Sequence, residues 1–257
     1  MIEIQNLFKT FDSAPVLNGL CLSVREGETK VVIGRSGVGK SVLLKSIVGI
    51  LRPDSGSIRI AGQEVIGMPE KQYDTLRKQI GLVFQNGALF DSMSVGDNVA
   101  FVADEFMNIS RQERGERVAR ALSLVGLQGV EAMMPSQLSG GMRKRVSLAR
   151  VLCMEPRIIL YDEPTSEVDP VTADALIRLI NGMRDRLGVT SIVVTHDMSA
   201  AYRLADSIAM FYHGQVIADA SPREIRNSHH PVVRQFIEGN SSGPITDDES
   251  LKFGHLK

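Results

Sequence analysis

One glycine-rich turn constrains this sequence more than any other feature. It consists of Gly34-Arg35-Ser36-Gly37-Val38-Gly39-Lys40-Ser41 and follows the apolar, β-branched run Thr29–Ile33. The apolar positions of Ser41–Leu51 then repeat with a helical period, so the turn joins a buried strand to a helix. A turn of the pattern G-x-x-x-x-G-K-[ST] in this context binds phosphate, because backbone N–H groups and the helix N-terminus point inward. The sequence predicts a nucleotide site, with Lys40 on the β- and γ-phosphates and the Ser41 hydroxyl as a Mg²⁺ ligand.

Composition and charge limit what such a domain can do. The chain has 257 residues, of which 43% are hydrophobic, and this is enough for one substantial core with a smaller inserted part. The formal net charge is -1, so we expect no nucleic-acid partner. Cys21 and Cys153 fit no disulfide framework or metal spacing, which favours a reduced compartment. No signal-peptide pattern and no run of about 20 apolar residues is present, so a channel would come from another chain.

A second predicted strand ends in two acids. The short apolar run Ile158–Tyr161 leads directly into Asp162 and Glu163. Beside a phosphate-binding turn, Asp162 is placed to hold Mg²⁺, directly or through water, and Glu163 to polarise the water that attacks the γ-phosphate. A strand that ends in a solvated acidic turn is the alternative, and the upstream glycine-rich turn argues against it. The pair predicts an ATPase with ATP and Mg²⁺ in its site.

The remaining patterns predict a domain of mixed α/β class. Ile2–Val24 alternates apolar and polar positions, as antiparallel strands do. Ser57–Ile60 and Glu64–Ile66 flank Ala61-Gly62, which indicates a hairpin. Ser191–Thr195 is a further buried strand, so strands and helices alternate through the second half of the chain.

Two segments stand apart from this alternation. Residues 89–137 are helical by pattern and contain no strong strand, which predicts a helical subdomain inserted into the domain. Residues 239–257 have few apolar side chains and predict a flexible tail or an arm that contacts a partner. We expect residues 2–238 to form the ATPase domain itself.

A glycine-containing segment follows the inserted part. Leu138-Ser139-Gly140-Gly141-Met142 precedes an amphipathic helix and resembles the signature of ABC (ATP-binding cassette) ATPases, whose fifth residue is usually glutamine. Met142 removes one polar side chain, but the serine, both glycines and the helix N-terminus remain available to a phosphate. Four basic residues follow, namely Arg143, Lys144, Arg145 and Arg150. A nucleic-acid contact is the alternative, but the neutral total charge favours a solvated helix face near phosphate.

Three single residues match the same family in chain order. Gln85 closes the apolar strand Ile80–Phe84 and resembles the glutamine that senses Mg²⁺ and the attacking water. His196 ends a core strand and is similar to the histidine that contacts the γ-phosphate. Phe11 resembles the aromatic residue that stacks on adenine, and Phe8 is the alternative for that role.

The resemblance covers residues 2–238. It implies the P-loop NTPase fold of an ABC cassette, in which a mixed core sheet carries N-terminal antiparallel strands and an inserted helical subdomain. It also implies a head-to-tail homodimer that buries two ATP molecules, each between one P-loop and the Ser139, Gly140 and Gly141 of the other subunit. Ser166–Asp169 resembles the loop between subunits, with Asp169 beside the nucleotide, but Glu167 stands where the family has a small residue.

Narrower similarities concern the cargo. The signature with the following Arg-Lys-Arg, the segment Gln85–Phe90 and the ending Val233–Gly239 are similar to the ATPases of Mla-type systems, which move phospholipids between bacterial membranes. That similarity implies integral membrane permease subunits, a periplasmic MCE-domain protein and a small cytoplasmic STAS-domain protein as partners. It places the chain at the cytoplasmic face of the bacterial inner membrane. We expect Gln85–Asn98 to line the groove that receives a permease helix.

Other classes of function stay open at this point. One is an ABC importer or exporter ATPase for another substrate, and another is a membrane-signalling ATPase of the cell-division type that moves no cargo. A chromosome-maintenance ATPase is disfavoured, because that class inserts a long coiled coil between P-loop and signature. Residues 89–137 show no sustained heptads.

Overall fold

The computed structural model of the chain describes residues 1–247. The strands of this part are β1 (Ile2–Phe11), β2 (Ala14–Val24), β3 (Thr29–Ile33), β4 (Ser55–Ile60), β5 (Gln63–Glu64), β6 (Ile80–Val83), β7 (Ile158–Asp162), β8 (Thr190–Thr195), β9 (Ser207–Tyr212) and β10 (Gln215–Ala220). The helices are α1 (Lys40–Ile47), α2 (Glu70–Arg77), α3 (Val95–Phe106), α4 (Arg111–Leu124), α5 (Gly140–Leu152), α6 (Pro170–Leu187), α7 (Met198–Leu204), α8 (Pro222–Arg226) and α9 (Pro231–Glu238).

A six-stranded sheet forms the centre of the molecule, with strand order β10-β9-β3-β8-β7-β6. All neighbours pair in parallel except β10, which is antiparallel to β9. Every residue of β3, β7 and β8 is buried, since helices or the second sheet cover both faces. This burial explains why these strands are continuous apolar runs in the sequence, and the mixed α/β cassette fold is confirmed.

The second sheet is antiparallel, with strand order β2-β1-β4-β5. The hairpin between β4 and β5 turns at Ala61 (φ 49°) and Gly62 (φ 79°), as predicted. Its second strand is Gln63–Glu64, so the predicted strand Glu64–Ile66 is wrong. The cause is the Glu64 side chain, whose Oε1 accepts the backbone N–H groups of Ile58 and Ile66 at 3.1 Å and 3.0 Å.

The alternation of side chains along the central strands separates two cores. Val31 and Ile33 of β3 lie on one face, together with buried residues of α3 to α7. Val32 lies on the other face, with Leu43 of α1 and the inner side of the antiparallel sheet. The helical stretch 89–137 contains α3, α4 and a 3-10 turn at Pro135–Gln137, and it shares the first of these cores with α5.

Several helices begin at a side-chain cap that the sequence supplies. The hydroxyls of Ser94, Ser110 and Ser139 accept the backbone N–H three residues later at the starts of α3, α4 and α5. Asp169 and Asp197 cap α6 and α7 in the same way. The helices that flank the central sheet therefore have fixed first turns, and these turns lie next to several of the predicted site residues.

The first part of the predicted tail packs on the domain. The backbone N–H of Ile245 donates to Gln235 Oε1 at 2.7 Å, and the Ile245 side chain is buried with the larger core. Gln235 Nε2 also donates to Thr246 Oγ1 at 3.1 Å. The rest of the predicted tail, residues 248–257, lies outside the described residues.

Candidate functional site

Three neighbouring strands bring the predicted site residues to one edge of the central sheet. The P-loop follows β3, Glu163 follows β7 and His196 follows β8. The register places Ile33 beside Thr195 and Asp162 beside Val194, so the three strands end at the same level. The carboxyl edge of a parallel sheet is where ligands bind in open α/β folds. The fold thereby brings together residues as far apart in the sequence as Gly34 and His196, a proximity that the order of residues alone does not show.

The P-loop takes a shape that only glycine permits at its close approaches. Gly39 has φ 102°, and a Cβ there would lie 2.8 Å from the carbonyl oxygen of Val16. Lys40 folds back across the loop, and its Nζ donates to the carbonyl oxygens of Gly34 and Arg35 at 2.7 Å and 3.0 Å. Burial lowers the pKa of Lys40, against the raising effect of the nearby carboxylates. The lysine is therefore held over the loop, with its charge directed into the site.

A hydroxyl and a carboxylate meet beneath the loop. Ser41 Oγ donates to Asp162 Oδ1 at 2.9 Å. Burial raises the pKa of Asp162, and the neighbouring Glu163 acts in the same direction. A cation placed here would offset that cost, and hard oxygen ligands of this kind suit Mg²⁺. Residues 1–247 contain no cluster of three or more His, Cys, Asp and Glu side chains that could hold a metal, so a cation here would take its other ligands from phosphate and water.

Glu163 occupies a strained position directly after β7. Its backbone φ is 48°, a left-handed conformation that non-glycine residues rarely adopt. Oε1 lies 2.9 Å from His196 Nδ1 and 3.8 Å from Lys40 Nζ. Oε2 accepts a hydrogen bond from Thr195 Oγ1 at 3.1 Å. An ionised carboxylate only accepts, so His196 Nδ1 carries the proton in this pair. The turn thus aims a buried carboxylate at the P-loop.

These groups line one open cavity of about 360 Å³. Its walls include Phe11 and Gln85 in addition to the P-loop, Glu163 and His196. Phe11 is 41% exposed at the end of β1, whereas the Phe8 ring packs against Gly19, at 3.2 Å from a Cβ placed there. Of the two aromatic candidates, the structure places Phe11 in the cavity.

Gln85 lies in a network that the sequence does not reveal. Its side-chain Nε2 is 3.5 Å from Glu167 Oε1, and its carbonyl oxygen accepts a hydrogen bond from Lys144 Nζ at 3.1 Å. Lys144 Nζ also lies 3.4 Å from Ser166 Oγ. Burial lowers the pKa of Lys144, and Glu167 is the larger of the two carboxylate influences that oppose this. The signature helix is thus tied to both loops that flank the cavity, and Glu167 has a partner there.

The signature residues lie apart from this cavity. Within residues 1–247, none of Ser139, Gly140 and Gly141 is among the residues that line it, and the same holds for Asp169. Gly141 faces α6 closely, since a Cβ there would lie 2.5 Å from Thr172 Cγ2. Asp169 accepts a hydrogen bond from the Thr172 hydroxyl, and this bond holds the pKa of Asp169 below its usual value. The signature segment and the loop with Asp169 form one unit at a separate surface.

A larger groove of about 670 Å³ opens beside the cavity. Its walls are mainly apolar and include Phe84, Phe90, Phe101 and Phe106. The buried Arg150 of α5 closes one side, where its guanidinium donates to the carbonyl oxygens of Gly87 and Ala88. The prediction of a solvated face is therefore wrong for Arg150, which is buried because its guanidinium bonds to these two carbonyl oxygens. Nothing in its local sequence separates it from the basic residues nearby.

None of the helices in residues 1–247 is long and apolar enough to cross a bilayer.

Comparisons with known proteins agree with this geometry. The profile of the family described as "ABC transporter" matches residues 17–166. The chain is 42% identical to the probable ribonucleotide transport ATP-binding protein mkl of Mycobacterium leprae, over 95% of this chain and 70% of that protein. It is 37% identical to the intermembrane phospholipid transport system ATP-binding protein MlaF of Haemophilus influenzae, over 95% of this chain and 93% of that protein.

A solved structure supports the same assignment. The dimeric post-hydrolysis state of the ATP-binding cassette MJ0796 bound to ADP and Pi superposes with a TM-score of 0.80 and 29% identity, over 87% of this chain and 99% of that chain. The chain therefore belongs to the ABC transporter family, as one of its ATPases.

Proposed function

We propose that this chain hydrolyses Mg-ATP in the cavity that Phe11, the P-loop, Gln85, Glu163 and His196 line, and that hydrolysis drives the transport of phospholipid or a related lipid. The observation that carries the catalytic part is the convergence of Lys40, the Ser41–Asp162 pair and Glu163 at one sheet edge. Phosphoryl transfer needs mainly positioned charges, a cation site and a group that orients water. The cavity supplies each of these.

Each residue has a distinct part in this proposal. Lys40 and the backbone N–H groups of the P-loop bind the β- and γ-phosphates, and Ser41 and Asp162 hold Mg²⁺, which neutralises charge on the phosphates when bound. Glu163 orients and polarises the attacking water. With both ring nitrogens of His196 protonated, Nδ1–H donates to Glu163 and Nε2–H donates to the γ-phosphate. Gln85 lines the same cavity and is proposed to contact Mg²⁺ and the attacking water.

A carboxylate-to-amide exchange tests this catalytic assignment. Glu163→Gln keeps the shape of the side chain and removes its charge, so we expect turnover to fall by about 100-fold or more while ATP affinity stays close to wild type. Glu155→Gln is the matched control, because Glu155 is an exposed acid that pairs with Arg120 away from the cavity. Wild-type turnover by the Glu163 variant would refute the role of this carboxylate.

We further propose a head-to-tail homodimer with two composite sites. Ser139 caps α5, and Gly140 and Gly141 are its first two residues, at a surface separate from their own cavity, so they are available to a second copy. The neighbour MJ0796 is described as a dimer. In this arrangement the signature and Asp169 of one subunit close the nucleotide cavity of the other. An anion at a helix N-terminus is a favourable interaction, and here the anion is the γ-phosphate.

The apolar groove is proposed as the docking site for a permease helix. Phe90 and Phe106 are 41% and 40% exposed there, although most large apolar side chains of the chain are buried. Phe84 and Ala88 line the groove on either side of Gln85 in the chain, and Gln85 itself lines the nucleotide cavity, so a helix seated in the groove would contact the loop that reaches that cavity. The proposed assembly therefore has integral membrane permease subunits as partners and acts at the cytoplasmic face of the inner membrane.

Relatives supply two candidate cargoes. MlaF is named for intermembrane phospholipid transport and matches this chain over 93% of its length, whereas mkl is named for probable ribonucleotide transport and matches over 70% of its length. We favour phospholipid, because the near full-length match is to the phospholipid system. A periplasmic MCE-domain protein and a small cytoplasmic STAS-domain protein then complete the proposed assembly.

Purification of the complex from native membranes tests the cargo. We expect the permease and an MCE-domain protein to co-purify, with phospholipid identified by mass spectrometry. In vesicles that contain the purified complex, ATP should drive transfer of a fluorescent phospholipid and not of a radiolabelled ribonucleotide. Ribonucleotide transport would establish the second candidate, and a complex that stimulates a periplasmic hydrolase without moving either cargo would favour the cell-division type.

A further inference from the structure

The last residue of β8 and the residue that follows it hold the Glu163 carboxylate through three contacts. Thr195 Oγ1 donates to Glu163 Oε2 at 3.1 Å, and the backbone N–H of His196 lies 3.4 Å from the same oxygen. His196 Nδ1 lies 2.9 Å from the other oxygen, Oε1. Thr195 is only 1% exposed and Glu163 9%, so water competes little for these bonds. The Thr195 hydroxyl is the buried member of this set of donors.

The direction of the Thr195 proton is fixed by its neighbours. A hydroxyl has a single proton to donate and two lone pairs to accept with. The backbone N–H of Asp197 donates to Thr195 Oγ1 at 3.1 Å, and the Asp197 carboxylate in turn caps α7 by accepting from Ser199 N at 2.8 Å. With that lone pair engaged by a backbone that the helix cap anchors, the proton of Thr195 is directed to Glu163.

The backbone of Glu163 is fixed from the same strand. Its N–H donates to the carbonyl oxygen of Val194 at 3.0 Å, and its φ of 48° turns the side chain back toward β8. Oε1 is the oxygen nearer the P-loop, at 3.8 Å from Lys40 Nζ, while Oε2 faces Thr195. Oε2 is thus bonded to the buried Thr195 hydroxyl, and Oε1 faces the P-loop.

We propose that Thr195 is a positioning residue for ATP hydrolysis, whose hydroxyl fixes the Glu163 carboxylate in the rotation that presents Oε1 to the attacking water. This inference rests on the proposed role of Glu163. It assigns to Thr195 a function beyond the packing of a buried strand, because its buried hydroxyl donates its one proton to the carboxylate that is proposed to orient the water. A carboxylate free to rotate would spend less time in the productive orientation, and the loss would appear in turnover more than in ATP binding.

Two substitutions separate the hydroxyl from the shape of the side chain. Thr195→Val keeps the β-branched form and removes the donor, and Thr195→Ser keeps the donor and removes a methyl group. In the full chain assembled with its permease, we expect Thr195→Val to lower kcat about tenfold and to change KM for Mg-ATP by less than about twofold. Thr195→Ser should retain most of the wild-type kcat. Rates are normalised to the sites that bind ATP, so a fraction of misfolded valine variant does not enter the comparison.

A double-mutant cycle distinguishes positioning from a structural effect. If Thr195 acts through Glu163, then adding Thr195→Val to Glu163→Gln leaves the residual turnover and the ATP affinity of the single variant unchanged. A structural role would instead lower ATP affinity in both backgrounds. The inference is overturned if Thr195→Val turns over at the wild-type rate, if valine and serine lose activity equally, or if the two changes lower turnover by independent factors.

The same variants distinguish a failure of this inference from a failure of the proposed function. Should Glu163→Gln hydrolyse ATP at the wild-type rate, the catalytic role of Glu163 fails and Thr195 has nothing to position. Should Glu163→Gln be inactive while Thr195→Val is fully active, the proposed function stands and only the role of Thr195 is wrong.

Discussion

A charge placed at Phe90 should detach the ATPase from its permease without disturbing the nucleotide cavity. The Phe90 ring packs against Phe101, with 4.5 Å between ring centroids, and faces the apolar groove. Its backbone is fixed independently of the ring, because the buried Asn98 side chain bonds both the N–H and the carbonyl oxygen of Phe90, at 2.8 Å and 3.0 Å. Phe90→Asp therefore changes the surface of the groove and leaves the loop in place.

The exposed area of the Phe90 ring sets the expected loss of affinity for the permease helix. Phe90 is 41% exposed, which corresponds to about 80 Å² of a phenylalanine side chain of about 200 Å². If a permease helix buries that area, the contact contributes about 2 kcal/mol, or about a 30-fold change in affinity. A carboxylate that must lose water against an apolar helix adds to this loss. We therefore expect the complex to weaken by more than 30-fold.

The assay compares three quantities in the same preparations. Co-purification with the permease and ATP-driven lipid transfer should both fall, whereas ATP affinity should remain within about twofold of wild type. Leu187→Asp is the control, because Leu187 is 47% exposed at the end of α6 and does not line the groove. Loss of ATP binding together with transport, or an equal effect of the control, would show that the groove is not the docking site.

Three further predictions concern other parts of the chain. Lys40→Ala should weaken ATP binding by about 10- to 100-fold in calorimetry, because charge-assisted bonds to phosphate are lost; unchanged affinity would contradict the P-loop assignment. Gly141→Ala places a Cβ 2.5 Å from Thr172 Cγ2 and shifts the signature, so ATP-dependent dimers should be lost in light scattering while ATP still binds; intact dimers would argue against the composite site. Arg150→Met removes the bonds to Gly87 and Ala88 and should lower Tm by about 4–8 °C, and an unchanged melting curve would contradict a stabilising role.

Local sequence patterns predict those parts of the fold whose residues are consecutive in the chain. The P-loop is predictable because strand, glycine turn and helix follow one another in the chain, and the predicted strand Thr29–Ile33 is confirmed as β3. The predicted strand Ile158–Tyr161 extends by one residue to Asp162, whose backbone continues the parallel pairing with β8. Burial on both faces gives such strands a sequence signal that surface strands lack.

Contacts between distant segments were beyond the reach of the sequence. Glu167 departs from the family pattern, and only the folded chain shows it near Gln85 and Lys144, which are far from it in sequence. The hydrogen bond from Thr195 to Glu163 likewise depends on the register of β7 and β8. A sequence motif consists of residues in one segment, so a contact between side chains of different strands leaves no pattern in the sequence.

The predicted strand Glu64–Ile66 is wrong because of a side-chain contact that the sequence also does not show. The pattern Glu64–Ile66 has the residue types of a strand, but the Glu64 carboxylate accepts the amide groups that a paired strand would engage. Side-chain competition for backbone donors ends strands and helices in ways that residue type alone does not predict.

The oligomeric state of Glu163→Gln tests the composite nucleotide site most directly. The variant is mixed with saturating Mg-ATP, in the presence of its permease, and its subunit number is measured by light scattering and single-particle counting. The account predicts two copies locked together with ATP retained, and separation when ADP replaces ATP, because the signature of each copy then has no γ-phosphate to contact. A Glu163→Gln chain that stays single in saturating Mg-ATP would contradict the account.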